Sequence, residues 1–178
     1  MKLMIASDIH GSEYYCKKMI ETYKSEKADR LLLLGDILYH GPRNDLPKDY
    51  APKAVISILN SIKNDILAVR GNCEAAVDQA VLEFPCLADY AIIEIGGKTI
   101  FATHGHIYNE DNLPPHKKGD ILLCGHTHVP KCTEHEDFIC MNPGSVSIPK
   151  ENSHHGYMIF DGGKFLWKSF DGDVILTF

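Results

Sequence analysis

The chain contains 178 residues, of which 44% are hydrophobic, an ordinary content for a globular protein that buries a full core. Its length suits one domain, so we expect a single domain over residues 1–178 with no linker. The 18 basic and 24 acidic side chains give a net charge of −6, and no block of Lys or Arg would follow a nucleic-acid backbone. The composition therefore disfavours a dedicated nucleic-acid binder, but it allows a small phosphate ester as ligand.

The six cysteines form no CxxC pair and have no regular spacing. Cys16 and Cys124 fall within apolar patterns, which predicts buried, reduced thiols. The first apolar run, residues 3–6, is too short for the core of a signal peptide, and no run approaches the roughly 20 residues needed to cross a bilayer. We therefore expect a cytoplasmic protein without a membrane segment.

The first half of the chain alternates between short apolar runs and amphipathic segments. The apolar runs predict buried strands at residues 3–6, 31–34 and 66–69. Ser12 is placed to cap a helix whose apolar face carries Tyr15, Cys16, Met19, Ile20 and Tyr23. After a surface loop over residues 38–50, a second helix is expected over about residues 53–62, and a third, short one near residues 75–82. This order predicts a βαβαβ arrangement for the first half of the chain.

The second half of the chain is rich in predicted strands. Residues 91–95, a Gly-Gly turn and residues 99–103 have the pattern of a hairpin. Further strands are expected at residues 121–124, 131–134, 138–141, 146–148, 157–160 and 165–170. A βαβαβ half followed by a β-rich half suggests two packed sheets with helices outside. Trp167 and Phe170 would mark an oligomer surface if exposed, or a packed strand face if buried.

Histidines, carboxylates and one amide follow the predicted strands closely. The five short stretches are Asp8-Ile9-His10, Gly35-Asp36, Gly71-Asn72, His104-Gly105-His106 and Gly125-His126-Thr127-His128. Each stretch alone is an ordinary polar strand end or turn. Because ligands bind at the carboxyl ends of strands in open α/β sheets, we expect the five to meet in one crevice.

Imidazole nitrogen and carboxylate oxygen are the donors that divalent metals of intermediate hardness prefer. One ion could be held by Asp8, His10, Asp36 and His128. A second could share Asp36 as a bridge and add Asn72, His104 and His126. Such a pair would keep a surplus of positive charge that suits an anionic phosphate ester, and it would activate a water for attack on phosphorus. The glycines that precede Asp36, Asn72 and His126 are expected to let the backbone turn sharply.

In this order, the five stretches resemble the motifs D-x-H, G-D, G-N-H-[DE], a further His motif and G-H-x-H of the calcineurin-like metallophosphoesterases. Asn142-Pro143-Gly144-Ser145 and Gly41-Pro42-Arg43-Asn44 are similar to segments of the small, stand-alone YfcE-like phosphodiesterases. The resemblance spans nearly the whole chain. It implies a four-layer α/β/β/α sandwich of two mixed sheets and a phosphodiesterase that uses two divalent ions. Manganese is the implied metal, and zinc, iron, cobalt or nickel would suit the same donors.

The sequence departs from the family motif at one position. Many relatives carry a histidine that protonates the leaving group where this chain has Cys73, and a thiol is a weak proton donor. The proton must then come from His106, His40 or water. We assign catalytic roles to Asn72, His104 and His106, the first two because they would hold the phosphoryl oxygens. His40 and Arg43 could line the mouth of the substrate site.

The sequence leaves three alternatives to a phosphodiesterase open. The first is a phosphomonoesterase that acts on a small metabolite or nucleotide. The second is a protein-interaction scaffold, since the small subunit of retromer resembles this fold. The third is a regulator that binds a cyclic or dinucleotide without rapid turnover. The completeness of the ligand set favours the enzyme. A homo-oligomer is possible, and His116, His135, His154 and His155 are expected to be solvated.

Overall fold

The computed structural model describes all residues from Met1 to Phe178. Three α-helices are present: α1 (Glu13–Glu26), α2 (Pro52–Asn60) and α3 (Ala76–Val81). The eleven strands are, in chain order, β1 (Leu3–Ala6), β2 (Arg30–Leu33), β3 (Ile66–Ala68), β4 (Tyr90–Ile95), β5 (Lys98–Thr103), β6 (Asp120–Leu123), β7 (Pro130–Glu134), β8 (Phe138–Pro143), β9 (Gly156–Asp161), β10 (Lys164–Ser169) and β11 (Val174–Thr177). No helix is both long and apolar enough to cross a membrane.

The strands form two mixed sheets. The six-stranded sheet has the order β11-β10-β9-β1-β2-β3, in which β1, β2 and β3 are mutually parallel and β9 joins β1 antiparallel. The five-stranded sheet has the order β4-β5-β6-β8-β7, with β5, β6 and β8 parallel and antiparallel strands at both edges. The carboxyl ends of the parallel strands of each sheet therefore lie at one edge.

Alternating side chains of β1 divide the core into two layers. Leu3 and Ile5 face the five-stranded sheet, where they join a cluster that includes Ile121 and Met141. Met4 and Ala6 face the opposite way, toward buried side chains of α1 and α2. Because both faces of the central strands are covered, these strands are continuous apolar runs without polar alternation.

Local signals explain why α1 forms where the sequence predicts it. The Ser12 hydroxyl accepts the N–H of Tyr15 at 3.3 Å and caps the first turn. Lys27 ends the helix in the left-handed conformation, with φ of 52°. The face buried against β1 and β2 carries the expected side chains Cys16, Met19, Ile20 and Tyr23.

The expected pair of packed mixed sheets flanked by helices is confirmed, and the outermost layer differs in one respect. Outside the five-stranded sheet, a small cluster formed by Leu122, Cys124, Phe138 and Cys140 is covered by the segment 104–119, which contains no helix. Phe101 meets Tyr108 of this segment edge to face, with 5.3 Å between ring centroids. A loop rather than a helix therefore forms the fourth layer.

One expected strand is absent, and one observed strand was not expected. Residues 146–148 form no strand, and Val146 and Ser147 lie in a bend. The N–H of Val146 donates to the Ser7 carbonyl at 2.9 Å and that of Ser147 to the Asp8 carbonyl at 3.3 Å, not to a neighbouring strand. Strand β11 was not expected, since all four of its residues are exposed and show no alternation. Trp167 is 1% exposed, and its indole N–H donates to the Asn142 carbonyl at 2.6 Å, so it belongs to the core.

Candidate metal centre

The seven side chains singled out as ligands follow five strands whose carboxyl ends face the same cleft. Asp8 and His10 follow β1, Asp36 follows β2 and Asn72 follows β3. In the other sheet, His104 follows β5, and the pair His126 and His128 follows β6. The two sheets thus contribute ligands from both sides, and the structure brings all seven together.

The first group of donors consists of Asp8, His10 and His128, all buried. The Nε2 atoms of the two imidazoles lie 3.2 Å apart. The Oδ1 atom of Asp8 lies 3.6 Å from Nε2 of His10 and 3.3 Å from Nε2 of His128. These three atoms therefore converge on one point, at which an ion could be bound.

Asp36 connects this group to a second one. Its Oδ2 atom lies 3.7 Å from Nε2 of His10 and 3.5 Å from Nε2 of His104. The same nitrogen of His104 lies 3.1 Å from Oδ1 of Asn72 and 3.2 Å from Nδ1 of His126. Asp36 therefore stands between two sets of donors, the position that a bridging carboxylate would need.

Backbone carbonyls orient three of the four imidazoles. The Nδ1 atoms of His10, His104 and His128 lie 2.7, 2.7 and 2.6 Å from the carbonyl oxygens of Tyr39, Leu34 and Ile148 respectively. In the neutral imidazole, which is the form that binds a metal, a hydrogen bond from Nδ1–H leaves the lone pair on Nε2, beside the carboxylates. His126 is the exception, because its Nδ1 faces the centre.

The backbone of the ligand residues is strained. Asp8, His10, Asp36, His126 and His128 have φ of 60°, 48°, 54°, 67° and 63°, in the left-handed region that side chains other than glycine rarely adopt. Such strain costs of order 1 kcal/mol or more for each residue and persists where the surrounding structure enforces it. Its concentration in the residues that point into the centre supports a functional role for their orientation.

The electrostatics of the centre fit a cation. Burial acts to raise the pKa of Asp8, but the imidazoles of His10 and His128 beside its carboxylate outweigh burial and hold this pKa well below its usual value. Burial acts to lower the pKa of His104, but Asp36 and Asp8 raise it to about 9. Asp8 Oδ1 is buried and has no hydrogen-bond partner. An unpaired carboxylate oxygen among imidazole nitrogens suits a divalent ion of intermediate hardness.

Glu74 holds two of the ligand loops together, a role that sequence reasoning missed. Its carboxylate accepts the N–H groups of Asp36 at 2.8 Å, Ile37 at 2.7 Å and Gly71 at 2.5 Å. Burial raises the pKa of Glu74, and these donors oppose that shift. Its place in Gly71-Asn72-Cys73-Glu74 was the one available signal, and nothing in the sequence indicated its partners.

The segment after β8 fixes the loop that carries Asp8. The carbonyl of Asp8 accepts hydrogen bonds from the hydroxyls of Ser145 at 2.9 Å and Ser147 at 3.1 Å. The Asn142 amide donates to the Gly125 carbonyl at 2.7 Å, beside His126. The Asn142-Pro143-Gly144-Ser145 stretch therefore ties the Asp8 loop to the loop that follows β6.

Gly71 and Gly125 were expected to let the backbone turn sharply, but their role is to leave room for the neighbouring carboxylates. Neither has a positive φ, and a Cβ on Gly71 would lie 2.1 Å from Asp36 Oδ1. A Cβ on Gly125 would lie 2.0 Å from the Ser7 hydroxyl and 3.0 Å from Asp8 Oδ2. Side chains at these positions would displace the carboxylates.

The two candidate proton donors lie beside the cleft, and neither lines it. His106 contacts the ligands through its ring, whose centroid is 5.4 Å from that of His104 and 6.4 Å from that of His126. Burial and these two histidines lower its pKa, so His106 is neutral near pH 7. His40 packs edge to face on Tyr50, and the Nδ1 atoms of both His40 and His106 are buried without a partner.

Cys73 lines the cleft, and its thiol is neutral. Its Sγ atom lies within 4.8 Å of ligand atoms of His10 and Asp36, and its N–H donates to Asp36 Oδ1 at 2.9 Å. Burial raises the pKa of this thiol, and Asp36 adds to the effect. The side chain is therefore a poor nucleophile and a poor acid at neutral pH.

The cleft in front of the centre has a volume of about 430 Å³. Its walls are mostly polar, and Cys73 is the one residue of the hydrophobic class among the eleven that line it. Asp36, Asn72, His126 and His128 form its floor, and the loop after β2 forms one side. A cleft of this size would hold a small polar molecule against the ligand residues.

Comparisons with known proteins agree with this geometry. A family model described as the calcineurin-like phosphoesterase superfamily domain matches residues 1–164. The phosphodiesterase YfcE of Escherichia coli strain K12 is 44% identical over 161 residues, which cover 90% of this chain and 88% of that protein. The solved structure of the E. coli phosphoesterase YfcE matches with a TM-score of 0.97 at 40% identity, over 100% of this chain and 98% of that chain.

A more distant match shows a shared fold alone. Vps29 of Entamoeba histolytica, solved in complex with Zn²⁺, has a TM-score of 0.62 at 18% identity, over 100% of this chain and 97% of that one. The resemblance inferred from the five motifs is confirmed by the family match and by the level of identity to YfcE. The chain therefore belongs to the calcineurin-like phosphoesterase superfamily.

Proposed function

We propose that this protein is a metal-dependent phosphodiesterase with a binuclear centre. The observation that carries the proposal is the position of Asp36, whose Oδ2 lies between Nε2 of His10 at 3.7 Å and Nε2 of His104 at 3.5 Å. We assign one ion to Asp8, His10, Asp36 and His128, and the other to Asp36, Asn72, His104 and His126. Manganese is the proposed metal, with zinc, iron, cobalt and nickel as substitutes for the same donors.

Divalent ions in this centre would supply Lewis acidity and lower the pKa of water to a range in which it attacks phosphorus. The chain itself orients the substrate. The Asn72 side chain is exposed to the cleft, with Oδ1 turned toward His104 and Nδ2 near Cys73. Its amide N–H groups are therefore placed to donate to an oxygen of the phosphoryl group.

We propose different parts for the other two catalytic candidates. His104 is fully buried with Nε2 directed at Asp36, so it acts on the substrate through the ion that it holds. His106 lies against the rings of His104 and His126 and is kept neutral, so we propose it as a positioning residue. Leaving-group protonation would then be the task of water, because Cys73 is a weak acid.

Two findings support a diester as substrate. YfcE, 44% identical to this chain, is described as a phosphodiesterase. A neutral thiol at the position of the family histidine favours leaving groups that depart without a strong proton donor. The presence of all seven ligand side chains in one site disfavours a scaffold. A cytoplasmic location stays a prediction.

The test is a comparison of metal-reconstituted variants on matched esters. We expect the Mn²⁺-loaded protein to hydrolyse bis(4-nitrophenyl) phosphate with a higher kcat/KM than 4-nitrophenyl phosphate, and chelator to abolish both activities. Asp36→Ala and His126→Ala should each lower kcat by more than about 100-fold. This loss exceeds the roughly 10–100-fold that is typical when a residue that only orients a metal ligand is removed. His154→Ala, at an exposed position outside the cleft, is the control. Monoester preference, or full activity in both ligand variants, would reject the proposal.

A further inference from the structure

The cleft in front of the ligand residues carries two cations that the centre does not use. Arg43 and Lys150 both line its wall, the first in the loop after β2 and the second beyond the Ser145–Ser147 segment. Asp36 is the one acidic residue among the eleven that line the cleft. In a chain with a net charge of −6, this is a local reversal of charge.

Neither cation has an internal partner. No salt bridge involves Arg43 or Lys150. Asp36 is not available to them, because Oδ1 accepts the N–H of Cys73 at 2.9 Å and Oδ2 faces the ligand imidazoles. Both charged groups are therefore free to bind an anion that enters the cleft.

The backbone beneath each cation is fixed to the site. Next to Arg43, the Asn44 amide donates to the His40 carbonyl at 2.8 Å and closes the loop. The N–H of Lys150 donates to the carbonyl of His128 at 3.3 Å, and its own carbonyl accepts the hydroxyl of Ser153 at 2.6 Å. Each flexible side chain thus starts from a position held relative to the ligand residues.

From this arrangement we propose that Arg43 and Lys150 bind a second anionic group, carried on one arm of the diester substrate. The inference rests on the proposed function and narrows its substrate class. The diester phosphate itself would lie against the ligand residues, which leaves the two cations for a carboxylate or phosphate farther along the arm. A guanidinium matches either group with two parallel hydrogen bonds.

The residues that line the cleft also disfavour one class of substrate arm, a nucleoside. The lining includes no Phe, Tyr or Trp side chain, so it offers no aromatic platform on which a nucleobase could stack. The volume of about 430 Å³ leaves room for a short chain beyond the phosphate. The favoured substrate is therefore a small, hydrophilic diester with a terminal anion.

The experiment uses three 4-nitrophenyl phosphodiesters that share the leaving group and differ in the second arm. The arms are 3-carboxypropyl, the methyl ester of 3-carboxypropyl, and 3-phosphopropyl. In the Mn²⁺-loaded protein we expect kcat/KM to be at least about tenfold higher for an anionic arm than for the neutral ester, the effect of a charge-assisted hydrogen bond. In the double variant Arg43→Gln/Lys150→Gln, this ratio should fall to within about twofold of one.

Lys164→Gln provides the matched control, because Lys164 is exposed, has no ion pair and lies outside the cleft. It removes one positive charge and should keep the ratio of the unmodified protein. A second readout is the Kd of phosphonate analogues of the three diesters, in which CH2 replaces the bridging oxygen of the 4-nitrophenyl ester so that the anionic group cannot be hydrolysed there, measured by calorimetry. The advantage of the anionic arms in Kd should shrink at high salt and disappear in the double variant.

The outcomes separate this inference from the proposed function. The inference is supported if kcat/KM is higher for either anionic arm than for the neutral ester and the double variant loses this difference. Equal kcat/KM for all three diesters, a ratio unchanged by the double variant, or an equal loss in Lys164→Gln would overturn it while diester hydrolysis still stood. Absence of hydrolysis of all three diesters would reject the proposed function, and the Kd values would still report whether the two cations bind an anion.

Discussion

The carboxylate of Glu74 accepts the backbone N–H of Asp36 at 2.8 Å, and with it the N–H groups of Ile37 and Gly71. One side chain on the loop after β3 therefore fixes the backbone of the loop after β2. Since Asp36 is the proposed bridge between the two ions, the position of the bridge depends on a residue that does not point into the cleft.

Glu74→Gln tests this dependence. The variant keeps the size of the side chain but places an NH₂ group against backbone donors, which leaves a buried N–H unpaired. We expect a loss of about 1–3 kcal/mol in the free energy of unfolding, and metal affinity lower by about 10–100-fold. Urea unfolding and metal titration measure the two effects. Glu94→Gln, at an exposed position of β4, is the control. Unchanged metal affinity in Glu74→Gln would show that the carboxylate only stabilises the fold.

Gly71→Ala tests whether the centre needs space at this position. The added Cβ would lie 2.1 Å from Asp36 Oδ1 and 2.5 Å from the Asp36 nitrogen, so the carboxylate must move. We expect destabilisation of about 1–3 kcal/mol together with loss of bound metal, detected by elemental analysis. Gly97→Ala is the comparison, because its Cβ meets no atom within 4 Å and its cost comes from φ of 75° alone. If Gly71→Ala keeps its full metal content, the proposed crowding is wrong.

The general architecture and the ligand set follow from local patterns in the sequence. Apolar runs that end in Asp8, Asp36 and His104 predict buried strands with polar exits, and parallel strands bring such exits to one edge. The five motifs keep a fixed order along the chain, which identifies the family. These features are local in sequence or depend on strand direction, so tertiary contacts are not needed to predict them.

The features that sequence reasoning missed depend on distant contacts. Val146 leaves the strand pattern because its N–H donates to Ser7, 139 positions earlier in the chain. The left-handed conformation of Asp8 and His128 contradicts local preference, and the surrounding hydrogen bonds enforce it. The role of Glu74 required the loops after β2 and β3 to be adjacent. Propensity and periodicity contain none of this information.

Cys73→His tests the source of the proton for the leaving group. Burial and Asp36 raise the pKa of the Cys73 thiol, so this side chain donates a proton weakly. An imidazole in the same wall of the cleft should accelerate hydrolysis of diesters with alkyl leaving groups by about tenfold or more, and aryl diesters should change little. The slope of log kcat against leaving-group pKa measures the difference. Cys73→Ala, which removes the thiol and adds no donor, should keep the original slope. Identical slopes for Cys73→His and Cys73→Ala would show that the side chain at position 73 does not determine protonation of the leaving group.

Glu26 is a carboxylate at the end of α1 that joins this helix to the six-stranded sheet. Its Oε2 accepts Lys2 Nζ at 2.8 Å, and its Oε1 accepts the Tyr157 hydroxyl at 3.0 Å and Lys168 Nζ. Burial acts to raise the pKa of Glu26, but these three donors outweigh it and lower the pKa to about 2. The folded-state pKa therefore lies below the unfolded value of about 4.3.

A lowered folded-state pKa means that the stabilisation is complete above about pH 4.3 and is lost as the pH falls toward about 2. Glu26→Gln should therefore be less stable than the unmodified protein by about 1–3 kcal/mol at neutral pH, and the gap should close over that acid range. Urea unfolding of both proteins at several pH values measures it. Glu21→Gln, an exposed neighbour on α1 without an ion pair, should show no gap at any pH. A gap for Glu26→Gln that stays constant down to about pH 2 would mean that the ionised carboxylate is not what stabilises this contact.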